Sequence, residues 1–227
     1  MMAAIDFRTC LDEARGPRRR ENPMPRISRE QKERNRGRIV AAASEGFKAR
    51  GIDGVGIDDL MKAAGMTHGG FYNHFKAKEE LYAETVAAYM HFDPSQRWSG
   101  IRFDPQATGT ACAQQMVNIY LSTAHLEDVE GHCPLVALPA DAARAGPQAR
   151  MAYCKLVEHM AGMLSGGLEG FEGEEARKRG LAITALCVGG MVLARTIDDP
   201  AFVEEVRLAA RDLALQLIGP DAGTSIA

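Results

Sequence analysis

The stretch GIDGVGIDDLMKAAGMTHGGFYNHFKAKEELYAETV, residues 51–86, decides the fold of this chain. Within it Ile57, Leu60, Met61 and Ala64 fall at i, i+3, i+4 and i+7, which predicts a helix over residues 57–64 with one narrow apolar face. Asp58 and Asp59 suit the positive end of its dipole. Gly65 ends it, and the turn Gly65-Met66-Thr67 reverses the chain sharply, which glycine permits because it accepts positive φ. Thr67 then caps a third helix over residues 68–75, and a fourth begins near Lys78 and runs to about His91. On the third helix Phe71 and Phe75 lie four apart and are expected to pack back against the first two helices. Thr67, His68, Gly69, Gly70, Tyr72, Asn73 and His74 are left facing outward.

Upstream, Ser28 is a candidate N-cap, and residues 30–50 run without proline to a stop at Gly51, with Ile39, Ala43 and Phe47 in one stripe. Three short helices, the last two joined by a tight glycine turn, have the geometry of a helix-turn-helix. The outward set carries the chemistry a duplex needs. Two glycines let backbone approach the floor of a groove; His68 and Asn73 offer hydrogen bonds to base edges or phosphates. Thr67, Tyr72 and His74 are suited to phosphate contact, and Lys78 opens the next helix. Taken singly, Tyr72 and His74 also fit a packing role.

The net charge of −3 alone argues against a polyanionic partner, but the charge is unevenly placed. From Arg15 to Arg38 there are ten Lys or Arg against three Glu, whereas from residue 101 onward there are ten basic residues against sixteen acidic. A front end facing nucleic acid fits this asymmetry; so does a solvated basic tail. Residues 1–27, rich in Pro and Arg, are expected to be a disordered basic arm, reaching DNA through Arg15, Arg18, Arg19, Arg20 and Arg26 or merely solvated.

The segment resembles the DNA-binding unit of TetR-type transcriptional regulators. Gly65-Met66-Thr67, Phe71-Tyr72, His74-Phe75 and Lys78-Glu79 carry the resemblance, which covers about residues 28–90. It implies an Ω-shaped homodimer on a partly palindromic operator, usually a repressor released by a small ligand. Three positions depart from the family pattern. Gly56 stands where Ser or Thr caps the second helix, Met61 where alanine is common, and His68 where lysine is frequent.

The rest of the chain reads as helix throughout, so the expected fold is all-α with about nine helices. A helix-turn-helix domain at 28–76 would be followed by a ligand-binding and dimerisation domain at 77–227. Residues 93–108 read as a loop; further helices are expected over 109–127, 134–143, 147–165, 174–197 and 200–218. Phe202, Val206, Ala209, Leu213 and Leu217 form a stripe on the last, and Ala182, Ala185, Gly189 and Gly190 let helices approach closely on the one before. Two such helices from each copy would make a four-helix interface, or a monomer would bury them itself. Met116, Tyr120, His125, Met151, Tyr153, His159, Met160 and Met163 are the candidate lining of a ligand pocket, although Met and Tyr at helical spacing also make ordinary core. Cys133, in GHCPL, precedes a proline-started helix, whose dipole would lower its thiol pKa, beside His132. It is a candidate redox or electrophile sensor or an inert buried thiol.

Other classes fit less well. An enzyme would need a nucleophile and base from Cys133 and His132, or from His125 and His159, and no phosphate loop, HExxH or GxSxG is present. A helical adaptor that dimerises without DNA is the other alternative. No cofactor or metal site is expected. Five scattered cysteines without a CxxC pair suggest reduced thiols, and no apolar stretch suggests a signal or a span, so the expected compartment is the cytoplasm. The expected partners are an operator duplex, a second copy and an unknown small molecule.

Overall fold

Helix α1, Arg29–Arg50, starts because Ser28 turns its hydroxyl to accept from the Gln31 N–H at 3.1 Å. It stops at Gly51, whose φ of 72° closes the last turn on the Phe47 carbonyl. These residues belong to a computed structural model that describes residues 28–91, 100–128, 131 and 133–219. The basic arm at 1–27 and His132 lie outside the described residues. Ile39, Ala43 and Phe47 are buried on one face of α1, as their spacing requires. Helix α2, Ile57–Ala63, leads into Gly65, which takes φ 66° to make the turn. Its cap, Gly56, offers no side-chain bond.

The expected third helix over 68–75 is instead a 310 segment, His68–Asn73. Gly69 and Gly70 hold an α-helix poorly, and the chain tightens into i→i+3 bonds: Gly70 N–H to Thr67 O at 2.9 Å and His74 N–H to Phe71 O at 2.8 Å. Helix α3, Lys78–Ala88, follows and ends in a 310 turn, Tyr89–His91.

Beyond residue 100 the chain forms α4 (Gly109–Tyr120), α5 (Thr123–Glu127), α6 (Pro134–Ala137), α7 (Pro139–Arg144), α8 (Gly146–Gly166), α9 (Gly173–Ala194) and α10 (Pro200–Ile218). No strand occurs among the described residues. Two expected helices are each broken in two. The 109–127 helix splits at Leu121–Ser122, because the Ser122 hydroxyl caps α5 by accepting from the His125 N–H at 3.1 Å. The freed Leu121 carbonyl is taken by the buried Arg207 of α10. The 134–143 helix splits at Leu138, before Pro139, which lacks the N–H that continuation needs.

The layers follow from close approaches. Helix α9 packs along α10 on one side and α8 on the other, and α8 in turn takes α3. Gly190 is what lets α9 meet α10: a Cβ there would lie 2.5 Å from Ala210 Cβ. This small residue therefore serves contact within one copy, whereas a Cβ on Gly189 would meet nothing within 4 Å. Helix α3 packs on both α1 and α8, so it belongs to the front unit and to the larger body at once.

One side chain ties the front unit together. Arg36 of α1 donates through Nε to Glu84 Oε1 at 3.0 Å and through Nη2 to Glu84 Oε2, both on α3. Its Nη1 donates to the His74 carbonyl, and its guanidinium lies 4.1 Å from the centre of the Phe75 ring. Lysine cannot reproduce this fork. Arg36→Lys is expected to lower stability by about 1–2 kcal/mol, visible as a Tm drop of several degrees; an unchanged Tm would show that the clamp carries no weight.

Candidate DNA-binding surface and candidate ligand cavity

The 310 segment is held from behind by two rings. Phe71 and Phe75 are fully buried and stack with centroids 5.7 Å apart. Met61, at the position commonly alanine, is also fully buried, and a Cβ on Gly70 would lie 3.4 Å from its terminal methyl. The large side chain on α2 and the missing one on the 310 segment are thus complementary. Thr67, His68, Gly69, Tyr72 and Asn73 are exposed, Tyr72 at 61%, and Gly70 is half-buried.

Two residues of the outward set differ from expectation. His74 is half-buried, and its Nδ1 is sealed from solvent without a hydrogen-bond partner. Burial, then the neighbouring Lys32 and Arg36, push its pKa below the usual histidine value, which disfavours the charged form a phosphate contact would want. His68 is exposed but engaged: its Nδ1 lies 2.5 Å from Asp58 Oδ1. Asp58 was legible only as a helix-dipole residue, yet its carboxylate pairs with Nδ1 of the imidazole and leaves Nε2 outside that bond. Lys78 is half-buried at the start of α3, and Lys76, which spacing did not single out, is exposed beside it. The surface is therefore a polar ridge, backed by apolar packing, with cations close by on α1.

In the larger body a cavity of about 250 Å³ lies between α3, α4 and α8. Met116, Tyr120, His125, His159, Met160 and Met163 line it, as expected. Met151 and Tyr153 do not. Met151 is 56% exposed in the first turns of α8, and the Tyr153 hydroxyl donates to the Leu135 carbonyl at 2.8 Å. The wall also includes Tyr89 and Met90 from the end of α3, and Phe103, Cys112 and Leu156. Helical spacing on α4 and α8 cannot reveal that the foot of α3 reaches this far.

Three polar groups meet at the wall. His125 Nδ1 pairs with the Tyr120 carbonyl at 2.6 Å, and Nε2 accepts from the Cys133 N–H at 3.2 Å, which sets the Nδ1–H tautomer. The Tyr120 and His125 rings meet edge-on at 4.9 Å. The Tyr120 hydroxyl is buried beside the Cys133 thiol, and no oxygen or nitrogen among the described residues bonds it. Cys133 is 2% exposed, and burial pushes its thiol pKa up rather than down. The helix it precedes has only four residues, so desolvation outweighs the dipole that the sequence suggested.

A helix-turn-helix precedes a larger all-helical body with an apolar cavity, and comparison with known proteins finds the same arrangement elsewhere. Residues 39–85 match the model of the bacterial regulatory proteins, tetR family. The chain is similar to the HTH-type transcriptional activator FasR of Mycolicibacterium smegmatis, 37% identical over 75 residues, 33% of this chain and 32% of that protein. It is also similar to the HTH-type transcriptional repressor KstR2 of Mycobacterium tuberculosis, 28% identical over 119 residues, 52% of this chain and 56% of that one. The chain thus spans between about a third and about half the length of these two relatives. The fold is that of the reduced form of E. coli NemR, with a TM-score of 0.60 at 21% identity over 79% of this chain and 96% of that one. A TetR transcriptional regulator from Legionella pneumophila gives 0.59 at 21% identity, over 78% and 95%. The match to the tetR family model covers the front unit of the chain, residues 39–85, and the likeness to the solved structures extends the fold over the rest.

Two outcomes follow from this geometry. A Cβ on Gly69 meets nothing within 4 Å in the free protein, so Gly69→Ala should leave Tm unchanged or slightly raised. If backbone approaches a groove there, duplex affinity should fall about tenfold, or about 1.4 kcal/mol; equal binding by both proteins in a fluorescence-anisotropy titration would show that the segment does not approach so closely. Burial holds His125 at about 4 against the ordinary 6.5. Below pH 6.5 the unfolded chain binds a proton that folded His125 refuses, so stability falls as pH drops from 6.5 to about 4, then levels. The gap corresponds to roughly 3 kcal/mol. Urea unfolding across this window should be flatter for His125→Gln than for the wild type, and parallel pH profiles would place the sensitivity elsewhere.

Proposed function

We propose that the chain is a DNA-binding transcriptional repressor that sits as a homodimer on a partly palindromic operator and is released by a small molecule. The observation that carries this reading is the ridge at 67–73, polar and exposed outside, anchored by the buried Phe71 and Phe75 inside. Thr67, His68, Gly69, Gly70, Tyr72 and Asn73 would enter the major groove, with His68 presenting Nε2. Lys78 and the neighbouring cations would meet phosphates.

Dimerisation is supported by what α9 and α10 leave uncovered. Leu181, Ala182, Ala185 and Leu193 on α9, and Phe202, Ala209 and Leu213 on α10, are exposed, Leu193 at 54% and Phe202 at 49%. Val206 and Leu217 are half-buried in the same stripe. A soluble monomer rarely leaves so long an apolar face open. Paired with a second copy it would hold two recognition segments at about one helical turn, roughly 34 Å, as two half-sites require.

Release follows from α3. Its first turn adjoins the recognition segment, and Tyr89 and Met90 at its far end line the cavity. A ligand that fits better when this end is displaced would favour a conformation in which the front units no longer match the half-site spacing. FasR is named an activator and KstR2 a repressor, so family names do not choose the sign. The placement of the cavity against α3 favours release over recruitment.

The operator is obtained by selecting bound sequences from random duplexes, and its affinity should fall with rising salt as phosphate contacts displace counterions. Leu193→Glu with Leu213→Glu should convert the dimer to a monomer in sedimentation and weaken binding to the two-half-site operator by tenfold or more. A variant that stays dimeric would remove α9 and α10 from the interface. A wild-type chain that binds no selected duplex at low salt would remove DNA from its function.

A further inference from the structure

The hold of α3 on the larger body is largely apolar: Leu81, Tyr82 and Val86 are fully buried in the core it shares with α8. Apolar contact is non-directional. Two bodies that share one packed helix therefore turn about it more easily than they part from it. The angle between the front unit and the body needs a second, directional hold away from that axis.

Asp141 on α7 supplies one. Helix α7 is seated on α8, with Ala142 buried, so it belongs to the body. Pro134 opens α6 and Pro139 opens α7, and each fixes its φ, which leaves the short segment carrying Asp141 little freedom of its own. Its carboxylate, on a side chain only 14% exposed, crosses to the turn after α1. There Oδ1 accepts from the Ile52 N–H at 3.3 Å, between positions 89 apart. Ile52 is buried, and its N–H without this partner would be a costly orphan.

Gly51 clears the path. A Cβ there would lie 2.9 Å from Asp141 Oδ1, so the residue that stops α1 also admits the carboxylate. Asp141 Oδ1 lies 3.5 Å from Arg144 Nη2 on its own helix. It also faces Tyr82 on α3, whose phenol pKa is pushed up by burial and then by the charge of Asp141. The end of α1, the middle of α3 and α7 thus meet at one carboxylate. A small contact matters here because the operator is unforgiving: one extra base pair moves a half-site by about 3.4 Å and turns it by about 35°.

We propose that Asp141 is a positioning residue that sets half-site spacing: by tying the turn after α1 to α7, it fixes the angle of each front unit and so the operator spacing that the dimer accepts. The inference rests on reading the chain as a dimer on a two-half-site operator. Full-length wild type, Asp141→Ala and Asp141→Asn are titrated by fluorescence anisotropy against the selected operator and against versions with one base pair inserted or deleted between the half-sites. Sedimentation and Tm are measured alongside. The wild type should bind the altered spacings about tenfold more weakly or worse, because the second front unit misses its groove. Asp141→Ala should shrink that penalty to about threefold or less, while binding the original spacing no more than about fivefold more weakly. Asp141→Asn keeps an oxygen for the Ile52 N–H and should restore the wild-type penalty. The Ile52 amide should exchange its hydrogen faster in Asp141→Ala than in the other two. Asp141→Ser, likewise too short to reach the turn, gives an independent reading of the same loss. An unchanged spacing penalty in the Ala and Ser variants overturns the proposal. Equal weakening at every spacing with a lowered Tm also overturns it, since that marks a merely structural role. A wild type that is monomeric, or that binds all three spacings alike, overturns the dimer reading and the inference with it.

Discussion

A six-residue 310 segment cannot hold its own shape in water, and the placement of the recognition segment depends on one guanidinium. Arg36 reaches from α1 to the carboxylate of Glu84 on α3, to the carbonyl that ends the segment, and across the face of Phe75. Two glycines and few internal bonds leave His68–Asn73 without the cooperativity that stabilises longer helices. Its position is therefore tertiary: Phe71 and Phe75 fill the space below, and Arg36 closes the C-terminal end. Glu80 stands 3.7 Å from the same guanidinium, and its Oε2 accepts from the Lys76 N–H at 2.7 Å, just ahead of α3. The charge of Arg36 is thus balanced where it is half-buried, the condition under which such a pair is favourable.

What was legible in the chain was local. The cap at Ser28, the positive φ at Gly65 and the buried pair Phe71 and Phe75 each depend on residues within a few positions of one another, and the structure has them as spacing implies. What was not legible was long-range. Arg36 and Glu84 are 48 positions apart, and nothing in a run of basic residues distinguishes the one that turns inward. Arg207 and Leu121 are 86 apart; without that partner, the break between α4 and α5 looks like one continuous apolar helix. The Ser122 cap was a local signal, outweighed by the apolar run on both sides. Met61 looked like a departure because its complement, the open space over Gly70, lies on another element.

The same division holds in the larger body. Spacing on α8 correctly placed Met160 and Met163 on one face, but it could not tell that Met151, nearer the helix start, has run past the cavity into solvent. Tyr153 reads like a pocket residue until its hydroxyl is seen bonded to the Leu135 carbonyl. Cys133 shows the competition most plainly. A helix start lowers a thiol pKa only when the thiol keeps some solvent and the helix has length, and here it has neither. Its buried sulfur instead belongs to the polar corner that His125 organises.

That corner and the recognition segment are linked by one helix. Helix α3 is eleven residues long, about 16 Å at the usual rise. Glu80 in its first turn and Glu84 near its middle hold Arg36, and through it the carbonyl that ends the 310 segment; Tyr89 and Met90, just past its C-terminal end, form cavity wall. Its middle is fixed on both sides, since Leu81, Tyr82 and Val86 are fully buried between α1 and α8. A packed helix of this length does not bend to absorb a guest; it shifts as a body or not at all. The cavity wall at Tyr89 and the Arg36 clamp are thus joined through one packed helix. A guest could shift that helix only by as much as it binds one placement of α3 better than another. A wall of methionines at the cavity fits many guests in one position, so any contact that discriminates among them has to be directional.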